Sequence, residues 1–248
     1  LVAGTRSFDI SMPKEINRLV IDGLSALLFT AGIGGNSAAT REGAESSKIY
    51  MVGNILMDTL RFNHQRFERP AVMDELGLAE KKYIVFTLNR KAIIGNDDEL
   101  RALLVSMMSH TGDVPVVAPL RKLAADAVKR IVNENPLLFE KLHIVAPLDY
   151  LHFGYLTANA LGIVTDSGNV AEEATFNTVP CITLNSYTEH IETVKVGSNV
   201  LVGEDPVQLG EEMARMVDGE WKHCGIPERW DGRSAERIVQ TLMECAAK

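Results

Sequence analysis

Residues 163–184 read IVTDSGNVAEEATFNTVPCITL, and the side chains able to do chemistry crowd between Thr165 and Glu173. Thr165, Asp166, Ser167 and Asn169 set short hydrogen-bonding groups around Gly168, and Glu172 and Glu173 follow one turn later. A glycine lets the backbone approach an anion closely, and a serine hydroxyl can donate to one. The unpaired N–H groups at the start of a helix carry partial positive charge and favour phosphate. The two glutamates lie too far into the helix for a capping box, and their carboxylates can accept from the hydroxyls of a sugar. One reading of the pattern is a phosphate against Ser167 and Gly168 with a sugar near Glu172 and Glu173. The same residues also describe a capped helix with a solvated acidic face, because strand-Ser-Gly-helix turns are common and need hold no ligand. On these residues alone both readings stand.

Such a turn has to be carried by a strand and a helix. From residue 83 onward, short β-rich runs recur: YIVFTL (83–88), VPVVAP (114–119), LHIVAP (142–147), LGIVTD (161–166), PCITL (180–184) and NVLVG (199–203). Helical stretches separate them. DDELRALLVSMMSH (97–110) spaces Leu100, Leu103, Leu104 and Met107 on one face, and LAADAVKRIVNE (123–134) does the same with Ala124, Val128 and Ile131. Strands alternating with helices predict a doubly wound parallel sheet, in which ligands bind beyond the C-terminal ends of the strands. Upstream, PKEINRLVIDGLSALLF (13–29) reads as a helix opened by Pro13 and followed by an apolar strand, KIYMVGN (48–54) as a strand and ILMDTLRFNHQRF (55–67) as a helix. Two strands and two helices fall short of a comfortable α/β domain. The expected division is a partial Rossmann-like domain over 1–75 and a nucleotide-binding one over 76–248. The boundary lies within the polar stretch 68–82, and a final helix is capped by Ser234 with Ile238 and Leu242 on one face.

Composition narrows the partners. The 248 residues are 46% hydrophobic with a net charge of −8, which predicts a folded chain and argues against a binder of nucleic-acid backbone. No apolar run reaches ~18 residues and no basic-then-apolar leader opens the sequence, so the expectation is a soluble, cytoplasmic protein without a membrane span. Cys181, Cys224 and Cys245 lack C-x-x-C spacing and are expected to be reduced and structural. No ligand cluster suggests a metal, and no cofactor is expected.

TDSGNVAEEATFNTVPCITL followed by TEHIETVKVGSNVLVGEDP resembles the nucleotide-binding segment of the non-hydrolysing UDP-N-acetylglucosamine 2-epimerases, with its T-D-S-G-G-x-Q-E-E, V-P-C, T-E-R-P-E-T and G-T-N-x-L-V-G. RSFDISMPKEINR resembles the family's R-S-x-x-x-x-x-P-E-E-x-N-R, VGNILMDTL its V-G-N-x-x-x-D, TLNR its T-L-H-R, and WDGRSAERIV its D-G-x-A-x-x-R-I. These collinear segments span essentially the whole chain. The resemblance implies two Rossmann-like domains facing a cleft, GT-B-like, with the N-terminal one incomplete here. It implies chemistry in which UDP leaves the anomeric carbon, the glycal is held, and UDP returns after C2 is reprotonated on the opposite face. It assigns Ser167, Gly168 and Glu173 to the diphosphate and ribose, and gives Glu15 an acid/base role with Asn17 and Arg18 retained beside it.

Several positions depart from that pattern. Val2 stands at a glutamate of H-V-E-A-G, Asn89 at the histidine of T-L-H-R, His190 at the arginine of T-E-R-P-E-T, and Asn169 and Ala171 at a glycine and the glutamine of the phosphate turn. Arg121 falls in the basic segment that carries P-V-H-P. Asn89 keeps a hydrogen-bonding side chain but loses titration near neutrality. The expected site is therefore Glu15, Arg18 and Asn89 for the reaction, with Ser167, Gly168, Asn169, Glu173, Arg121 and His190 for the nucleotide. The expected ligand is a UDP-linked sugar or related nucleotide. Association is also expected, either as a homo-oligomer or with a chain supplying the rest of the N-terminal half, because an open parallel sheet edge invites pairing. Two activities remain in view: a nucleotide-sugar 2-epimerase, or a non-catalytic nucleotide-sugar-binding subunit that pairs with an active homologue.

Overall fold

The structure, a computed structural model, describes residues 2–247. Among these the chain forms two compact units, one built from residues 2–65, 187–197 and 225–247, the other from 66–186 and 198–224.

In the first unit, helix α1 (Pro13–Leu24) starts with Pro13, whose missing N–H would have lacked a partner in the first turn. Strand β1 (Leu28–Thr30), helix α2 (Ile33–Arg41), strand β2 (Ile49–Met51) and helix α3 (Ile55–Asn63) follow. The sequence reading had no α2: AGIGGNSAATR is rich in glycine and short side chains and shows no apolar face to signal a helix. β1 and β2 pair in parallel, and Ala3 adds a parallel bridge to Thr30. The apolar cluster here is small, with Ala3, Leu28 and Ala39 at its centre. Polar ties supplement it. Arg6, 2% exposed, bonds Asp22 at 2.7 Å and both oxygens of Glu42. Removing one partner of a buried pair like this leaves a charge without compensation, which is the costly direction.

The second unit opens with helix α4 (Ala71–Glu75) and alternates as the strand spacing predicts. It runs through β3 (Ile84–Thr87), α5 (Lys91–Ile94), α6 (Asp97–Ser109), β4 (Val116–Pro119), α7 (Lys122–Glu134), β5 (Leu142–Val145), α8 (Tyr150–Ala158), β6 (Gly162–Thr165), α9 (Gly168–Phe176) and β7 (Cys181–Thr183). The chain then gives α10 (Glu192–Lys195) to the first unit and returns as β8 (Asn199–Leu201) and α11 (Pro206–Val217). Its last helix, α12 (Ser234–Ala246), belongs to the first unit again. All neighbouring strands of the second unit are parallel, in the order β5-β4-β3-β6-β7-β8. Alternate residues feed two cores. Ile84, Phe86, Val116, Ala118, Val164 and Ile182 pack with α6, α7 and α11, while Tyr83, Val85, Val117, Ile163 and Cys181 pack with α4, α8 and α9. Both faces are thus covered, as a parallel sheet requires.

Residues 187–197 and 225–247 do not group with the 76–248 block suggested by the sequence. Local pattern does not report the long-range bonds responsible. Glu189 binds Lys14 and Arg18, Glu192 accepts from the Gly34 N–H at 2.7 Å, and the buried Trp230 donates its indole N–H to the Ala31 carbonyl at 3.0 Å. The expected Ser234 cap is also replaced. Arg233 is the N-cap without a side-chain bond, and the Asp58 carboxylate accepts from the Ser234 and Ala235 N–H groups at 3.0 and 2.8 Å. An acid reaching over from α3 does what a local serine was expected to do. Among the described residues, no helix is long and apolar enough to cross a membrane.

Candidate functional site

The strand order of the second unit reverses between β3 and β6. β3, β4 and β5 run outward one way and β6, β7 and β8 the other, which leaves a crevice beyond the C-terminal ends of the two central strands. The sequence supplies its polar groups there. The hydroxyls of Thr87 and Thr165 meet at 2.7 Å, both buried, at the last residues of β3 and β6. Just beyond them, Asp166 Oδ2 accepts from the backbone N–H groups of Asn89 at 2.6 Å and Arg90 at 2.5 Å. One carboxylate therefore ties the turn after β3 to the turn after β6.

Helix α9 starts at Gly168 with Ser167 as its N-cap, and the Ser167 side chain makes no capping bond. The first-turn N–H groups therefore keep their partial positive charge without a serine cap. A Cβ built on Gly168 meets nothing within 4 Å, so open space lies in front of the turn. Asn169 is exposed beside it. The reading of α9 as a helix with a solvated acidic face fails, because Glu172 is 9% exposed and Glu173 7%. Burial first, and the charge of Glu172 second, push the Glu173 carboxyl up to about 7. The Tyr150 phenol, raised first by its own burial, is raised further by the charge of Glu173, and the ring packs edge-on against Phe67 at 6.2 Å.

Asn89 is exposed at the end of β3, and Arg121 is exposed at the N-cap of α7, directly after β4. Because β4, β3 and β6 are neighbours, Arg121, Asn89, Ser167, Gly168 and Asn169 all lie along one edge of the sheet. Glu173 sits one turn inward on α9. Sequence reasoning missed Arg90, whose guanidinium bonds the Leu184 carbonyl, Asn185 Oδ1 and Glu204. Its place next to Asn89 in TLNR was the available signal.

Glu15, Arg18 and His190 belong to the first unit. Glu15 is 2% exposed and accepts from the Ser7 N–H, the Ser7 hydroxyl and the Phe8 N–H, each at 3.0 Å. Burial pushes its carboxyl up, but those hydrogen bonds and the charge of Arg6 outweigh this and hold it below its ordinary value. The bonds pin Phe8, which stands at a left-handed φ of 58°. In this arrangement Glu15 is a charged anchor for the 7–8 turn. Arg18 meets both Glu189 oxygens, at 2.9 and 2.8 Å, with Lys14 on the same carboxylate. Burial raises the Glu189 carboxyl, yet the bonds from Arg18 and Lys14 prevail and bring it to about 2. The His190 ring stands edge-on to Trp230 at 5.9 Å, and the His190 backbone N–H donates to the Thr188 hydroxyl at 3.2 Å. The three free cysteines take no part in these clusters.

A family profile described as UDP-N-acetylglucosamine 2-epimerase matches residues 1–243. The chain is 35% identical to the UDP-N-acetylglucosamine 2-epimerase of Methanocaldococcus jannaschii over 251 residues, 97% of this chain and 67% of that protein. It is 34% identical over 209 residues to the UDP-2,3-diacetamido-2,3-dideoxy-D-glucuronate 2-epimerase of Pseudomonas aeruginosa, 81% of this chain and 55% of that one. Among solved structures it is similar to M. jannaschii UDP-GlcNAc 2-epimerase in complex with UDP-GlcNAc and UDP, with a TM-score of 0.78 at 33% identity, covering 98% of this chain and 68% of that one. It is also similar to the S. aureus MnaA–UDP co-structure, with a TM-score of 0.84 at 25% identity, covering 100% and 67%. Profile, relatives and α/β architecture agree: the chain belongs to the UDP-N-acetylglucosamine 2-epimerase family.

Proposed function

We propose that this protein binds a UDP-linked N-acetylhexosamine and serves its epimerisation at C2, with the diphosphate held at the Ser167-Gly168-Asn169 turn. The observation that carries this reading is the open start of α9, uncapped at Ser167 and unobstructed at Gly168, with a buried carboxyl one turn further in. Ser167 and the first N–H groups of α9 receive the phosphates, Arg121 adds charge from the end of β4, two strands away, and Glu173 accepts from ribose hydroxyls. Relatives whose names state this substrate support the choice of ligand. Epimerisation at C2 needs a proton to leave one ring face and return to the other. One observation favours a second reading, binding without turnover: Val2 and Asn89 bring no titratable group, and Glu15 is fully engaged as an anchor. Exchange of the C2 hydrogen with solvent deuterium separates the two, being absent in the second.

Calorimetric titration with UDP tests the site itself. UDP is expected to bind, and Gly168→Val is expected to weaken it at least ~10-fold, since a branched side chain fills the space a phosphate needs while a helix start tolerates it. The φ of Gly168 is not left-handed and a Cβ there meets no protein atom within 4 Å, so the variant carries no backbone strain. Undiminished binding would remove the turn from the site.

Association belongs to the same proposal. On α1, Ile16, Val20 and Leu24 are 45%, 54% and 84% exposed at helical spacing, an apolar ridge of the kind that a partner surface covers. We expect a homo-oligomer at micromolar concentration. Sedimentation as a well-behaved 27.2 kDa species would rule that out. The free cysteines are in keeping with a cytoplasmic setting.

A further inference from the structure

Arg90 leaves the end of β3 with its backbone N–H on Asp166, and its side chain runs across the ends of the next strands in the sheet. Nη1 donates to the Leu184 carbonyl at 3.0 Å and to Asn185 Oδ1 at 3.1 Å, just after β7. Nη2 meets Glu204 Oε1 at 2.5 Å, just after β8. Asn185 is fixed in turn, its amide donating to the Asp166 carbonyl at 2.9 Å, and the Gly203 N–H donates to the Asn185 carbonyl at 3.2 Å. The guanidinium is therefore held from two sides at the edge of the sheet where α9 begins. It still has an Nε–H and one Nη2 hydrogen in hand.

We propose that Glu204 is a positioning residue for nucleotide binding: with Asn185 it holds the Arg90 guanidinium where its remaining donors meet the diphosphate. The proposal rests on the nucleotide reading above. A planar guanidinium presents its donors in a fixed fork, so its value to a phosphate depends on orientation and not on charge alone. Arg90 is 40% exposed and carries several rotatable bonds, so without a lateral tie it would sample orientations that face water. Glu204 also faces the Glu99 carboxyl, and that contact first and burial second raise it.

The test compares UDP with uridine, by calorimetry on the whole chain. Glu204→Ala is expected to weaken UDP about 10-fold and to leave uridine unchanged, because the effect acts only through the phosphates. Glu204→Gln, which keeps an acceptor for Arg90, is expected to recover part of the loss. Arg90→Ala is expected to weaken UDP at least as much, and the Arg90→Ala/Glu204→Ala double variant no further than Arg90→Ala alone, since Glu204 acts through Arg90. Unchanged or tighter UDP binding in Glu204→Ala overturns the proposal, the latter showing that Glu204 competes with the phosphates. Equal losses for uridine, or additive losses in the double variant, overturn it too by showing a general structural role. A parent chain that does not bind UDP at all would instead refute the nucleotide reading.

Discussion

Glu173→Gln is expected to gain about 3 kcal/mol of stability over the parent chain at pH 8 and almost nothing at pH 4.5, beyond whatever constant difference the amide introduces. The group is 7% exposed, and its carboxyl rises from 4.5 to about 7, burial being the main cause and Glu172 the second. Between these two values the folded chain keeps a proton that the unfolded chain has released. Stability is therefore fully retained below about 4.5 and is lost as pH rises through about 7. A rise of some 2.5 pH units at 1.36 kcal/mol each gives the figure. Urea midpoints of parent and variant across pH 4–9 check it, with the other titrating groups cancelling in the difference. A flat difference would mean that Glu173 ionises freely in the folded chain. The same group is the one proposed to meet the ribose. Ribose hydroxyls donate best to the ionised carboxylate, so UDP affinity in the parent should increase as pH passes 7, and Glu173→Gln should flatten that profile.

Asn89→His is expected to raise C2 deuterium exchange on UDP-N-acetylglucosamine by ~10²-fold, the low end of what one positioned acid/base group contributes. The side chain is exposed at the end of β3, while the backbone N–H that Asp166 holds is unaffected by the change. The imidazole thus enters without disturbing the tie between β3 and β6. Its unperturbed pKa, near 6.5, suits proton transfer at neutral pH. Uridine and UDP affinity should change far less than exchange, and the gained rate should show a new titration near pH 6–7. If Asn89→His leaves exchange where it was, position 89 is not on the proton's path.

The second unit was legible because its physics is local. Ile84, Phe86, Val116 and Val164 alternate inward within short apolar runs, and Leu100, Leu103, Leu104 and Met107 mark one side of α6. Burial on two faces leaves that periodicity in the sequence whatever else the chain does. The TDSGN turn could be placed at a strand end for the same reason, since Gly168 and Ser167 interrupt an apolar run. Helix α2 escaped because its short, glycine-rich sequence has no apolar period, and it is held instead by remote groups such as Glu192.

Residue types and spacing by themselves determined the doubly wound parallel sheet, the turn at Ser167 and Gly168, and the shortage of titratable groups at Val2 and Asn89. Tertiary structure alone decided the state of those groups. Glu173 lies buried near neutrality and not on a solvated face, Glu15 is spent on the Ser7 and Phe8 backbone, and Arg90 is fixed by Asn185 and Glu204. It also assigned residues 187–197 to the first unit through Arg18 and Glu189. The reason is physical: secondary structure follows from neighbours a few residues apart, whereas desolvation and ion pairing depend on groups brought close from 171 positions away along the chain, and no local pattern records them.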